Sequence, residues 1–297
     1  MDPTLFDNRY SKVVAEAYDA MAEEYDVFDS RTGPFFINDY RTCNHYLEKL
    51  LPFWKNRVVL DVGCGTGLQT IQFAAQASRV IGVDLSEQLI RKAEFKVKSL
   101  GFKNVTLIRG DAIELPLPDN SVDYVSSYGD VIGHIPGYDR AFSEMARVCR
   151  PGGIVTIEYD NKWHLGLLYE WKELLQALQK PSKGDIRVWT YKYLNVQKNV
   201  DLVYKTFAFS EIETLLKENN LKLIKVAGIH ILSSVIPTQY HTPFNNRLPF
   251  LNLFTKLIIA LGKIDFVLKE LYPFNRLGFA SILIARKKDP FGIFRGL

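Results

Sequence analysis

The chain is poor in what would staple it, anchor it or mark it for export. Its three cysteines, Cys43, Cys64 and Cys149, are widely spaced and form no C-x-x-C. That spacing argues against a disulfide frame or a zinc site and fits reduced thiols in a cytoplasmic protein. No uninterrupted apolar run reaches the length of a membrane span. The opening residues, Met1-Asp2-Pro3-Thr4, are acidic and polar, unlike a secretory leader. Charge of one sign is scarce too. A formal net charge of +4 over 297 residues does not make the basic stripe of a dedicated nucleic-acid binder. The five histidines show no i, i+4 pairing and no carboxylate cluster frames them, so no metal is expected. Internal repeats and low-complexity linkers are missing as well. Apolar substance is plentiful: 47% of residues are hydrophobic and 13% aromatic, enough for one large α/β domain with insertions.

The most informative stretch is Val58-Val59-Leu60-Asp61-Val62-Gly63-Cys64-Gly65-Thr66-Gly67. A β-branched, apolar run reads as a buried strand. It breaks into three glycines at alternate positions, which lets the backbone turn tightly and a ligand approach without Cβ atoms in the way. Leu68, Ile71, Phe73 and Ala74 then recur with helical spacing. A glycine loop between a parallel strand and a helix N-terminus is where open α/β sheets bind ligands. A dinucleotide fingerprint, G-x-G-x-x-G, does not fit, because Leu68 stands where its third glycine would be.

The spacing G-x-G-x-G, preceded by Asp61, resembles the first motif of class I S-adenosylmethionine-dependent methyltransferases. The resemblance runs from about Tyr18 to Tyr159 and fades afterwards. It implies a Rossmann-like, doubly wound, seven-stranded and mostly parallel sheet with an antiparallel last strand. It also implies S-adenosylmethionine as cofactor, with S-adenosylhomocysteine as product. On that basis Asp61 meets the ligand's ammonium, and Gly63, Cys64, Gly65, Thr66 and Gly67 form the cradle. Asp84 ends a second strand, Arg79 to Asp84, 21 residues after Gly63. That is the distance at which such a fold offers a carboxylate to ribose hydroxyls, with Leu85 beside it. Asp111, with the backbone N–H of Ala112, matches the family's adenine-reading motif. Ser127 and Tyr128 end the fourth strand next to the cofactor, and Tyr25 closes over it from an N-terminal helix.

The strict β-α-β-α order from Val58 to Tyr159 argues a parallel sheet. Four regions follow. Residues 1–56 are helices over the cofactor and substrate mouth, the first from about Asn8 to Phe28 and the second from Pro34 to about Leu51. Residues 57–160 are the cofactor-binding core. Residues 161–209 are a cap, with a helix over Trp163 to Gln179 and a hairpin of Ile186 to Leu194 with Val200 to Phe209. Residues 210–297 complete the sheet through strands Leu221 to Leu232 and Phe279 to Ala285, separated by an apolar insertion at 233–278. From Leu248 to Leu271 that insertion is a nearly continuous helical pattern of Leu, Ile and Phe. Three readings fit it: a cap on a greasy pocket, a face lying on a membrane, or a homodimer interface.

The sulfonium of such a cofactor already activates its methyl group, so the protein need only align a nucleophile, exclude water and take a proton. His134 is the first candidate base, since it follows the fourth strand and imidazole titrates near neutrality. Tyr128, Asp130, Glu158 and His164 share the same rim. The aromatic and aliphatic residues of the cap point to a small, apolar acceptor resembling those of quinone-, sterol- or lipid-modifying relatives. The Asn-Pro-Pro-Tyr signature of enzymes acting on amide and exocyclic base nitrogens is missing after the fourth strand. An RNA or protein methyltransferase, or a cofactor-binding protein without turnover, are the other readings.

Overall fold

The computed structural model describes residues 8–28, 34–135, 137–169, 174–175, 178, 187–191, 200–236 and 249–289. Two long helices lead in, α1 (Asn8–Phe28) and α2 (Pro34–Lys49), followed by the single turn α3 (Leu51–Trp54). Strand and helix then alternate: β1 (Val58–Val62), α4 (Leu68–Ala74), β2 (Arg79–Asp84), α5 (Glu87–Ser99), β3 (Val105–Arg109), β4 (Val122–Ser127), α6 (Tyr138–Val148) and β5 (Cys149–Asp160). Local chemistry sets the boundaries. Ser86 caps α5 by accepting from the Leu89 N–H at 3.1 Å. Gly101, with φ +76°, follows that helix where only a left-handed residue can turn the chain. The Arg150-Pro151-Gly152-Gly153 turn is absorbed into β5 as an irregularity in its pairing with β4.

The second half supplies a hairpin, β6 (Arg187–Tyr191) with β7 (Val200–Tyr204), paired antiparallel as the alternation predicted. Then come α7 (Phe209–Glu218), β8 (Leu221–Ile229), α8 (Pro249–Leu268) and β9 (Ala280–Lys287). At the start of α7, Glu211 reaches back to accept from the Ala208 N–H at 2.8 Å. The helix expected over Trp163 to Gln179 begins as a short 3₁₀ turn at Leu165–Leu168, and most of the remainder lies outside the described residues.

The main sheet has seven strands in the order β3-β2-β1-β4-β5-β9-β8. β1 to β5 pair in parallel, and β9 runs antiparallel to both β5 and β8. β9 thus slots between β5 and the edge strand β8. Alternate residues feed two cores. Leu60, Val62, Ile81, Val83, Val125, Val155 and Ile157 pack with α6 and α7 on one face. Val59, Val80, Tyr124, Ile154 and Ile282 pack with α2, α3 and α4 on the other. Burial on both faces is why these strands are apolar throughout. The order reverses between β1 and β4, so the carboxyl ends of these two strands flank the crevice where a doubly wound sheet takes its ligand.

Candidate cofactor and acceptor site

The cradle is built by three glycines in the left-handed region, Gly63 at φ +70°, Gly65 at +51° and Gly67 at +83°. Residues with a Cβ adopt this conformation only at a cost. Gly63 and Cys64 donate to the Val83 carbonyl at 2.8 and 3.1 Å, and Gly67 donates to the Cys64 carbonyl at 2.9 Å. These bonds tie the loop to β2. A Cβ on Gly63 would overlap Val131, so the loop is pressed against the segment after β4. A Cβ on Gly65 would meet only the Tyr25 ring, at 3.8 to 4.0 Å, so this backbone faces open space under an aromatic cover. Cys64 and Thr66 turn their side chains inward, the thiol against Gly82 and the Thr66 hydroxyl to Asp26 at 2.7 Å.

Asp84 leaves β2 with both oxygens aimed at backbone. Oδ2 accepts from the Gly65 N–H at 2.8 Å and Oδ1 from the Ser86 N–H at 2.9 Å. Each oxygen keeps a lone pair, so the carboxylate is oriented and can still accept two hydroxyls. Burial raises its pKa, partly offset by those N–H groups. Asp84→Ala should therefore weaken cofactor binding by about 1–3 kcal/mol, the range for lost hydrogen bonds to a charged group. Calorimetric titration of the cofactor checks this.

Asp61 lies on β1 opposite Ser126 of β4, at the switch point. It is buried, accepts from the Thr70 hydroxyl at 2.6 Å, and has its pKa raised to about 7. Burial is the main cause, and the charge of Asp84 adds to it. Next to it, the hydroxyls of Ser126 and Ser127 are buried with no hydrogen-bond partner. Buried hydroxyls without partners are costly, and a polar ligand in the crevice would supply what they lack.

Helix α1 spans the carboxyl edge of the sheet and gathers the remaining candidates. Ser11 donates to Asp111 at 2.5 Å, while Asp111 also accepts from the Ile113 N–H at 3.1 Å. Asp19 accepts from Ser86 and, at 3.0 Å, from the Gln88 N–H, adding a second cap to α5. Lys96 pairs with Asp26 at 2.7 Å. Tyr18 stands between Tyr25, 6.3 Å away, and the His134 ring, 6.1 Å away and edge-on. α1 thus reaches Asp111 through Ser11, the start of α5 through Asp19, Thr66 of the glycine loop through Asp26, and His134 through Tyr18.

Tyr128 is placed differently. Its side chain is buried in the core with Tyr124 and Cys43, and burial holds its phenol well above the usual range. It is no proton acceptor near neutral pH. Beneath the rim lies an acidic group that sequence reasoning half missed. Asp39, Cys43 and Glu158 bring their ligating atoms within 4.8 Å of one another. Glu158 accepts from the Gly129 N–H at 2.8 Å, and Asp130 accepts from the Asp160 N–H at 3.1 Å. Burial first, then mutual repulsion among the acids, pushes Asp39 and Asp130 well above the usual carboxylate range. His164, on the same rim, packs edge-on to Phe279 at 5.1 Å.

Beyond β5 a cavity of about 230 Å³ is lined by Trp163, Phe207, Phe209, Tyr272, Pro273 and Leu277, with Asn161 and Arg276 as its polar members. The Arg276 guanidinium stacks on Phe209 at 3.8 Å.

Comparison with known proteins bears on the core. Residues 59–153 match a family model described as a methyltransferase domain. A demethylmenaquinone methyltransferase of Geobacillus stearothermophilus is 45% identical over 105 residues, 34% of this chain and 44% of that protein. One from Bacillus cereus is 32% identical over 157 residues, 52% of this chain and 65% of the relative. The chain therefore spans about half the length of the curated relatives it matches. Among solved structures, an S-adenosylmethionine-dependent methyltransferase of Methanosarcina mazei superposes with a TM-score of 0.55 at 18% identity, over 81% of this chain and 97% of that one. The cyclase SpnF gives 0.63 at 19% identity, over 94% and 97%. At such identities the likeness is one of fold, and a fold hosts more than one chemistry. Strand order, glycine spacing and the match over the core agree: residues 59–153 match a methyltransferase domain, set in the doubly wound sheet that the solved structures share.

Proposed function

We propose that the protein transfers a methyl group from S-adenosylmethionine to an oxygen, carbon or nitrogen atom of a small apolar acceptor of quinone, isoprenoid or aromatic type. The observation that carries the acceptor class is the cavity of Trp163, Phe207, Phe209 and Tyr272, whose walls suit a ring or chain rather than a hydrophilic metabolite. The names of the curated relatives, demethylmenaquinone methyltransferases, support the same class. Bound in the cradle, the cofactor would supply an electrophilic methyl group on a sulfonium. Asp61 would hold the ligand's ammonium, Asp84 its ribose, and Asp111 with the Ala112 N–H its adenine. The open space over Gly65, roofed by Tyr25, and the partnerless hydroxyl of Ser127 fit a ligand of that kind.

The chain's own work is then alignment, exclusion of water and proton transfer. His134 is the group assigned to the acceptor's proton. It packs beside Tyr18 of α1, whereas the acids Asp39 and Asp130 are buried and have their pKa values raised by that burial and by the charges of Glu158 and Asp160. His134→Ala should lower kcat by about a hundredfold or more with KM little changed, as for loss of a general base. Equal losses in both would assign the ring to packing. The acceptor class is tested by following S-adenosylhomocysteine release with a demethylated quinol and with hydrophilic phenols and amines. Turnover with the hydrophilic set alone would overturn it.

A further inference from the structure

Helix α8 leaves one side uncovered. Leu253, Leu257, Ile264, Val267 and, just past its end, Leu271 are exposed, Leu253 by 68% and Val267 by 72%. They recur at steps of three, four and seven residues, so they form one row along the helix. The opposite side is the packed one. Ile258 is fully buried, its carbonyl accepts from Asn38 of α2 at 3.1 Å, and Gly262 is so close to Asn38 that a Cβ would overlap it.

Charge is sorted along the same division. The helix has a single acid, Asp265, and it is turned inward, accepting from the Leu232 and Ser233 N–H groups at 2.7 and 3.1 Å. Lys256 and Lys263 are exposed on one flank of the apolar row. Lys269, beyond the helix, folds back over the Phe266 ring at 3.5 Å. The outward face of α8 therefore offers hydrocarbon and positive charge; the acid next to the row, Glu270, is taken up by Lys49, Lys225 and Tyr46. Tyr272, exposed by 76%, ends the row and also lines the aromatic cavity. No helix among the described residues is long and apolar enough to cross a membrane, so such a face can lie on a bilayer but not span it.

We propose that this face docks the protein on an anionic lipid surface. The row from Leu253 to Leu271 would enter the boundary between headgroups and acyl chains, with Lys256 and Lys263 against the headgroups and Tyr272 at the interface, where aromatic rings with a polar end settle. A second copy of the chain would bring to those lysines only Glu270, which Lys49 and Lys225 already engage. Docking also deepens the proposed function, because it sets the lip of the cavity where an apolar acceptor dissolves; it rests on that reading only for its purpose.

The test uses the full chain and vesicles of phosphatidylcholine with or without phosphatidylglycerol. Co-sedimentation should appear with the anionic vesicles and weaken with added salt. Leu257→Asp with Val267→Asp should reduce it by about tenfold or more, and Lys256→Glu with Lys263→Glu likewise. Unchanged cofactor affinity in both variants shows that they fold. Equal recovery of the unaltered protein with and without anionic lipid overturns the proposal. So does light scattering that finds a dimer which the Leu257 and Val267 changes dissociate. Methyl transfer to a detergent-dispersed quinol separates the two readings: its retention in a variant that no longer docks leaves the activity standing, and docking without transfer leaves the surface standing.

Discussion

Replacing Gly65 with valine is expected to abolish cofactor binding while the protein stays folded. The argument rests on where a side chain at this position would go. The backbone there is left-handed at φ +51°, and a Cβ would touch nothing but the Tyr25 ring at 3.8 to 4.0 Å. A valine would therefore grow into the space between loop and lid, which is the space a ligand in this cradle must fill. Its conformational cost to the fold is about 1–2 kcal/mol, the penalty for a left-handed residue with a Cβ. Its cost to binding is far greater, because the ligand would have to move or Tyr25 would have to leave; a loss of about a hundredfold or more in affinity corresponds to only about 3 kcal/mol. Gly63 would not serve as well. A Cβ there overlaps Val131, so lost binding and a damaged loop could not be told apart. Calorimetric titration beside a thermal melt separates the effects. A folded Gly65→Val protein with unchanged cofactor affinity would contradict the assignment of the loop.

The left-handed turn at Gly65 and the strand end at Asp84 were legible in the sequence because each lies within its own strand-turn-helix unit. A strand's end, a left-handed turn and a helix cap are written in adjacent residues. Tyr128, expected beside the cofactor, is buried for a local reason as well. It continues the two-residue alternation of Tyr124 past the end of β4, and that parity sends both rings into the core between the sheet and α2. The signal was present, and the rim position obscured it. Asp39 left no such signal. It meets Glu158 only because α2 lies across the end of β5, in a contact that joins Cys43 and Glu158 across 115 positions of chain. Ser11 and Asp19 went unread for the same reason, since their partners Asp111 and Ser86 belong to the sheet they cover. For α8, length and helical period were readable, but Leu, Ile and Phe all round the helix left its inward side undetermined. The contacts of Ile258 and Gly262 with Asn38 decide it.

The pH dependence of cofactor binding should report Asp61 directly. Burial, with help from the charge of Asp84 and against the Thr70 hydrogen bond, sets its pKa at about 7 in the ligand-free protein. A raised carboxyl pKa means that ionisation costs the free fold something, so this group's contribution to stability is lost as pH rises through about 7. An arriving ammonium reverses the balance. It favours the carboxylate, pulls the pKa down, and expels a proton as it binds. Above about pH 7 the proton is already gone and affinity should be flat; between about pH 8 and about pH 6 it should fall by about tenfold as each binding event must first displace a proton. Calorimetry in two buffers of different ionisation enthalpy counts that proton. In Asp61→Asn the affinity should be lower at high pH and the share of the slope that Asp61 carries should vanish. Asp84 could imitate the effect, for burial raises its pKa too. A slope that survives in Asp61→Asn and is lost in Asp84→Asn belongs to Asp84, and a flat profile in the unaltered protein removes the ammonium from Asp61 altogether.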